Sequence, residues 1–438
     1  MLIFNTLNSK KEKFFSIKKN IINMYVCGIT IHDECHIGHI RTFSCFDTIL
    51  RYFIYKGFKV NYVRNITDID NKIIYKLKKN KESISFFSKK MIKKMNKNFR
   101  LMNIIKPKYE PRVTKFINEI IKYIKILIKK KIAYIKNNGD VFFSILKYKN
   151  YGILSKRNLK KTNFVDFALW KVKNFKDNKS SYLWPSPWGY GRPGWHIECS
   201  AITNYFFGKN LDIHGGGSDL IFPHHENEIA QSSCINSMEN YSKFWMHTGM
   251  VIFKKKISKS KNNLFKINDL LEKFHPESIR LFLLLSHYRH PIYFDESNIY
   301  KASKIIKKLY ISLENISKGS FTKNKILENF ENKFVEAMNN DFNTPVACKI
   351  IFKISKKLSI FKSENLSKLL VKLGNILGIL FENTEKFLSY KKINFNKNYI
   401  IYLKRKRSLA RKNKNWKLSD KIRKKLIDMN IIVKDKKL

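Results

Sequence analysis

The stretch that most constrains the fold lies between residues 23 and 69. "NMYVCGIT" is a short apolar run closed by a glycine, Gly28. From His36 on, Ile40, Phe43, Ile49, Leu50, Phe53 and Ile54 recur at helical spacing, and Gly57 stops the pattern. "FKVNYVRNITDID" then alternates as a second strand. Strand, helix and strand in so short a span predict a β-α-β unit of a parallel sheet, with a nucleotide crevice at its carboxyl edge. The helix opens in "CHIGHIRTF", where His36 and His39 share one face of the first turn. Backbone N–H groups lack partners there and the helix dipole is positive. Such a turn is a natural seat for a phosphate.

Two further stretches carry chemistry. "KKKISKSKNN", residues 254–263, sets small hydroxyl residues between lysines, a cationic loop able to fold over a triphosphate. "GWHIECSA" and "LDIHGGGSDLIFPHHENEIAQ" supply Cys199, His224 and Glu228, all potential zinc ligands. "HHENEIAQ" follows Pro223 and reads as a helix start, so His224 and Glu228 fall on one face. Cys27 ends the first strand and is placed to face the same crevice. The spacing is not that of a zinc ribbon or finger. On spacing alone, His225 serves as well as His224.

Residue usage divides the chain. All 11 histidines lie at or before His290, so the reactive side chains belong to the first two-thirds. The remainder is rich in Leu, Ile, Phe and Lys, has a single proline, Pro345, and reads as helices. A boundary is expected near 300–320 and a weaker one at "YKKINFNKN", 390–398. The 87 Lys+Arg against 34 Asp+Glu give a net charge of +53, which calls for a polyanionic partner. Lysine is spread so widely that composition does not locate the surface. None of the six cysteines forms a CxxC pair, which favours reduced thiols in a cytoplasm. "MLIFNTLNSKKEKFF" lacks a signal-peptide core, and no run approaches the roughly 20 apolar residues of a membrane span.

Together these stretches resemble the class I aminoacyl-tRNA synthetases, and specifically the cysteinyl-tRNA synthetase family. The resemblance runs almost the whole chain. "MYVCGITIHDECHIGHIRTF" is similar to that family's opening block, with its HIGH motif at residues 36–39, and "KISKS", Lys256 to Ser260, to its KMSKS loop. "SPWGYGRPGWHIECSA" and "DIHGGGSDLIFPHHENEIAQS" are close to diagnostic. "AMNNDFNTP" (337–345) resembles its helical domain and "WKLSDKIRKKL" (416–426) its C-terminal domain.

The resemblance implies an α/β fold. A Rossmann-type, parallel-sheet catalytic domain would span 1–305, with a connective insertion at about 100–200. An α-helical bundle at 306–389 and a small basic anticodon-binding domain at 390–438 would follow. It implies ATP-dependent ligation of L-cysteine to tRNA(Cys) through a cysteinyl-adenylate, by a cytoplasmic monomer using ATP with Mg²⁺. Catalytic roles fall to His36, His39, Lys256 and Lys259, and ATP contacts to Gly38, His39, Lys259, Gly217 and Asp219. Gly28, Thr67, Trp195 and His196 would meet the cysteine substrate. One zinc would be held by Cys27, Cys199, His224 and Glu228, which selects His224 over His225. The chain departs from the family at Ile29 (a proline there), His32 (a tyrosine), Lys261-Asn262 (Leu-Gly) and its last residues, which lack the usual Gly-Thr-Thr-Trp. Two alternatives share parts of this pattern. A ligase joining cysteine to a small amine would have little reason to keep the basic C-terminal helices. A non-catalytic RNA-binding paralogue should have lost histidines or loop lysines, and none is missing.

Overall fold

Four parallel strands form the central sheet: β1 (Ile21–Thr30), β2 (Lys59–Thr67), β3 (Leu211–Gly217) and β4 (Ser242–Thr248), in the order β4-β3-β1-β2. The computed structural model describes residues 1–157, 165–173, 182–236, 241–253, 266–317, 319–389, 397–413 and 415–428. Helix α1 (Ile37–Tyr55) joins β1 to β2. Side chains of β1 alternate between two cores, as a strand's period of two requires. Met24 and Val26 pack with Phe43, Phe46 and Ile49 of α1. Tyr25 and Cys27 enter the opposite core with Cys199 of α2 (Trp195–Phe207) and Ile229 of α3 (Glu226–Asn236). Both faces are covered, so β1 reads as a near-continuous apolar run.

The strand order reverses between β1 and β3, and a crevice opens at their carboxyl ends, where such sheets bind ligands. Between β2 and β3 the chain inserts helices Asn71–Asn80, Ile84–Leu101 and Ile117–Lys129. An antiparallel sheet of Ala133–Ile135, Val141–Phe143, Phe167–Val172 and Gly191–Pro193 follows. Beyond β4, strand Val251–Phe253 pairs with Ile292–Phe294. The intervening "KISKS" stretch, with Lys256 and Lys259, lies outside the described residues.

The last third is helical, with Glu296–Ser312, Asn324–Asn339, Thr344–Phe361 and Glu364–Ile376 extending the α1-side core. Buried polar contacts hold the segments before it together and bind Asp341 to them. Asp341 accepts from Phe4 N (2.9 Å), Tyr288 Oη (2.7 Å) and Arg289 Nε (2.7 Å). From α1, Arg41 donates to the Leu283 carbonyl and to the His287 carbonyl (2.8 Å), while Asp47 receives Arg280. Two further helices, Lys397–Lys412 and Trp416–Asp428, pack Leu403 against Ile422 and Leu426, with Leu418 at the margin. Leu418, Ile422 and Leu426 follow at spacings of four, one apolar face of the second helix. Among the described residues, no helix is long and apolar enough to cross a membrane.

The sheet and α1 approach so closely at Gly215 that a Cβ there would stand 2.3 Å from the Phe46 ring. Gly215→Ala should therefore lower stability by about 1–3 kcal/mol, as overpacking does. Adding Phe46→Leu should recover part of the loss. Urea midpoints of the single and double variants check both.

Candidate active site and metal centre

The start of α1 differs from a bare helix end. His36 is the N-cap: its Nδ1 accepts from Gly38 N (3.1 Å) and His39 N (3.4 Å). His39 Nδ1 in turn accepts from His36 N at 3.4 Å, completing a reciprocal capping box made of two imidazoles. The rings stack with centroids 3.6 Å apart. Because each Nδ1 accepts, each neutral ring carries its proton on Nε2. The sequence pattern marked this turn as a phosphate seat, but two of its N–H groups are taken by the motif's own first histidine. What the motif offers a ligand is a pair of oriented Nε2–H donors. Desolvation pushes both imidazoles below their ordinary range, and each is pushed further by a histidine neighbour. Asp219 opposes this at His36.

His36, Gly38 and His39 line a cavity of about 370 Å³, together with Cys27, Gly28, Trp195, Gly217 and Asp219. Thr248, Gly249 and Lys72 complete much of its wall. Gly28 is needed for packing: a Cβ would sit 1.6 Å from the Asn65 carbonyl oxygen. Its N–H donates to Asn65 Oδ1 at 2.7 Å. Two expected substrate contacts, Thr67 and His196, are not among the residues lining this cavity. Thr67 is buried and donates to Glu198 Oε2 (3.2 Å), and His196 Nδ1 meets His224 Nδ1 at 3.0 Å.

Below Cys27 the structure brings together all four expected metal ligands. One donor atom from each of Cys27, Cys199, His224 and Glu228 lies within 4.8 Å of the others. Ligands around a tetrahedral zinc, bound at about 2.0–2.3 Å, sit roughly 3.3–3.8 Å apart. A small contraction closes the group, and two sulfurs, an imidazole and a carboxylate suit a borderline-soft cation. The helix start read at Pro223 falls slightly later. Ile221–His225 form a wide turn and α3 begins at Glu226, yet His224 Nε2 still stands 3.1 Å from Glu228 Oε1. A second group overlaps the first, Cys27, His214, His225 and Glu228. Its histidines are also engaged on their outer nitrogens, His225 Nδ1 by His247 (2.8 Å) and His214 Nδ1 by Tyr241 (2.8 Å).

Electrostatics in the first group are mutual. A hydrogen bond from Cys27, with help from His224, brings the Cys199 thiol down to about 6 despite burial. Burial and the neighbouring Cys199 push Cys27 well up. Burial alone would lower His224, but Cys199 and Glu228 raise it to about 10. Burial alone would raise Glu228, but His214 and His224 hold it well below the carboxylate range. Sequence reasoning did not single out His214, Tyr241 or His247. Their only signal is register, since Tyr25 and Trp245 both pair with His214 in the sheet.

Comparisons with known proteins agree with this geometry. Residues 13–304 match the model of the "tRNA synthetases class I (C) catalytic domain" and residues 333–382 that of the "DALR domain". A methionyl-tRNA synthetase from Mycobacterium tuberculosis, solved with methionyl-adenylate, shares the fold. Its TM-score is 0.61 at 14% identity, covering 82% of this chain and 89% of that one. The fold and its two domains are those of a class I aminoacyl-tRNA synthetase. The cysteine–tRNA ligase of Buchnera aphidicola (subsp. Acyrthosiphon pisum, strain APS) is 50% identical over 99% of this chain and 97% of its own length. That of Wigglesworthia glossinidia brevipalpis is 48% identical over 99% and 98%. The chain belongs to the cysteine–tRNA ligase family.

The capping box carries its own check. His36 and His39 should titrate below 6.5, leaving both rings neutral and Nε2-protonated at pH 7, and ring-nitrogen chemical shifts followed against pH measure this. A ring of the pair still half-charged at pH 7 would contradict the capped geometry.

Proposed function

We propose that the chain joins L-cysteine to tRNA(Cys) in two steps, with ATP and Mg²⁺ as co-substrates and a zinc ion at the floor of the crevice. The observation that carries this reading is the convergence of Cys27, Cys199, His224 and Glu228 beneath a cavity walled by His36 and His39. First a carboxylate oxygen of cysteine attacks the α-phosphorus of ATP. The bond from that phosphorus to the bridging oxygen breaks, giving cysteinyl-adenylate and pyrophosphate. Then a terminal ribose hydroxyl of the tRNA attacks the carbonyl carbon, its proton is lost, and AMP leaves with the acyl C–O electrons.

A carboxylate is already a nucleophile, so the first step needs alignment and stabilisation of charge rather than a strong base. The Nε2–H donors of His36 and His39 are held by the helix cap and aimed from the crevice wall. Gly38, Gly217 and Asp219 line the same cavity on the nucleotide side. Lys256 and Lys259 would add positive charge. Gly28 lines the cavity from β1, and Trp195, whose ring lies 4.4 Å from His224, walls the thiol end. Thr67 and His196 support this wall through Glu198 and His224.

Cys27, Cys199, His224 and Glu228 would hold the zinc. When bound, it supplies a soft Lewis acid that takes a thiol as thiolate, a bond that a serine hydroxyl forms poorly near neutral pH. A purely apolar pocket separates such isosteres only about a hundredfold. The ligand set therefore accounts for selection without a second, editing site. The charge of +53, and the basic helices after residue 396, suit the tRNA backbone.

Cysteine-dependent ATP–pyrophosphate exchange followed by tRNA charging tests the reading. Exchange without charging of any cysteine tRNA would instead indicate a ligase with a small amine acceptor. Cys199→Ser should lose about one zinc per chain and cysteine binding together, by metal analysis and calorimetry. Lys259→Ala should slow adenylate formation roughly 10²-fold or more while cysteine binding changes little, in pre-steady-state assays.

A further inference from the structure

One helix face next to the crevice is left unassigned by the two-step reading. In helix Asn71–Asn80, Ile73 and Leu77 are buried, while Lys72, Tyr75, Lys76 and Lys79 follow at i, i+3, i+4 and i+7 on the outer face. Lys72 lines the crevice itself, opposite the Gly217 and Asp219 side, at the carboxyl end of β2. It makes no ion pair among the described residues. Tyr75 is 67% exposed and Lys79 is exposed as well. The two carboxylates nearby are occupied: Asp70 caps the helix, accepting from Lys72 N and Ile73 N, and Asp33 pairs with Lys76 at 3.3 Å. From the insertion, Arg192 reaches the same helix start and donates to Asn71 Oδ1.

We infer that this face is the track along which the single-stranded 3′ end of the tRNA enters the crevice. The inference rests on the tRNA-charging reading. Its shape fits the task. A cation inside the crevice, an exposed aromatic ring one turn out and a cation beyond it extend over about 10 Å of helix. Lysines for phosphates and a ring for base stacking are what sequence-tolerant single-strand sites use. The location separates the two substrates. Among the groups assigned to the nucleotide, Gly217 and Asp219 lie at the end of β3 and Gly38 and His39 at the start of α1, whereas this face follows β2. RNA can therefore arrive while adenylate occupies the pocket. The nearby His32 supports a cationic setting: burial, then Lys72 and Lys76, press its imidazole below the ordinary range against the pull of Asp70.

The test is the double variant Tyr75→Ala/Lys79→Gln, both exposed and outside the cavity wall. Two transcripts of the cysteine tRNA serve as probes, one intact and one lacking its single-stranded 3′ end. The variant should bind the intact transcript about tenfold more weakly, with a shallower salt dependence. It should bind the shortened transcript as the parent does, and keep cysteine-dependent pyrophosphate exchange within twofold. Equal weakening on both transcripts, or no weakening on either, overturns the inference while leaving the synthetase reading intact. Absence of exchange in the parent protein would overturn the synthetase reading and this inference with it.

Discussion

A carboxylate with no exposed surface sits at the centre of the molecule. Glu228 is fully buried, and burying one unpaired charge costs several kcal/mol. Its neighbours offset that cost from three directions. Cys27 of β1 lies at 3.3 Å, His214 of β3 at 3.4 Å, and Tyr241, just before β4, at 3.3 Å. His224, in the turn before its own helix, closes the ring at 3.1 Å. The contacts that make the charge tolerable are also the contacts that dock α3 on the sheet. Removing Glu228 would loosen a structural joint as well as take away a candidate metal ligand, because the two are one object.

The sheet then distributes chemistry by face. Alternation along β1 sends Cys27 toward α2 and α3, while the loop after Thr30 carries His36 to α1 on the other side. The carboxyl edge is where both sides can meet one ligand. Arg41 and Asp47 tie α1 to residues 280–287, and Arg280 of that stretch donates to the Leu377 carbonyl (2.8 Å) of the helical third, which holds the histidine end of this arrangement in place.

Much of this was legible in the sequence because it depends on short-range pattern. The period change from strand to helix, the stop at Gly57 and the paired histidines all lie within a few dozen residues. Cys27, Cys199, His224 and Glu228 could be named as ligand types, although spacing could not separate His224 from His225. The structure explains why. Both histidines face Cys27 and Glu228, but His224 groups with Cys199 and His225 with His214, and their second nitrogens meet His196 and His247. Those partners come from distant strands and helices. His214 and Tyr241 were illegible for the same reason, since nothing local fixes the register of β1 against β3. The self-made cap of α1 was missed differently: the motif's chemistry pointed outward, to phosphate, and the backbone was closer.

That cap has a consequence for behaviour in acid. An imidazole caps a helix only with a lone pair, and protonation at Nδ1 abolishes it. Both rings are held below their free range, so the neutral form persists through mild acidity. As pH falls further, through 6.5 and on to the lowered values, the stability each ring lends is lost. The first turn of α1 would then fray from within, as two stacked cations repel, while the sheet beneath stays folded. Acid inactivation would begin as a local melting of one helical turn, and return to neutral pH would reseal it without any need to refold the chain.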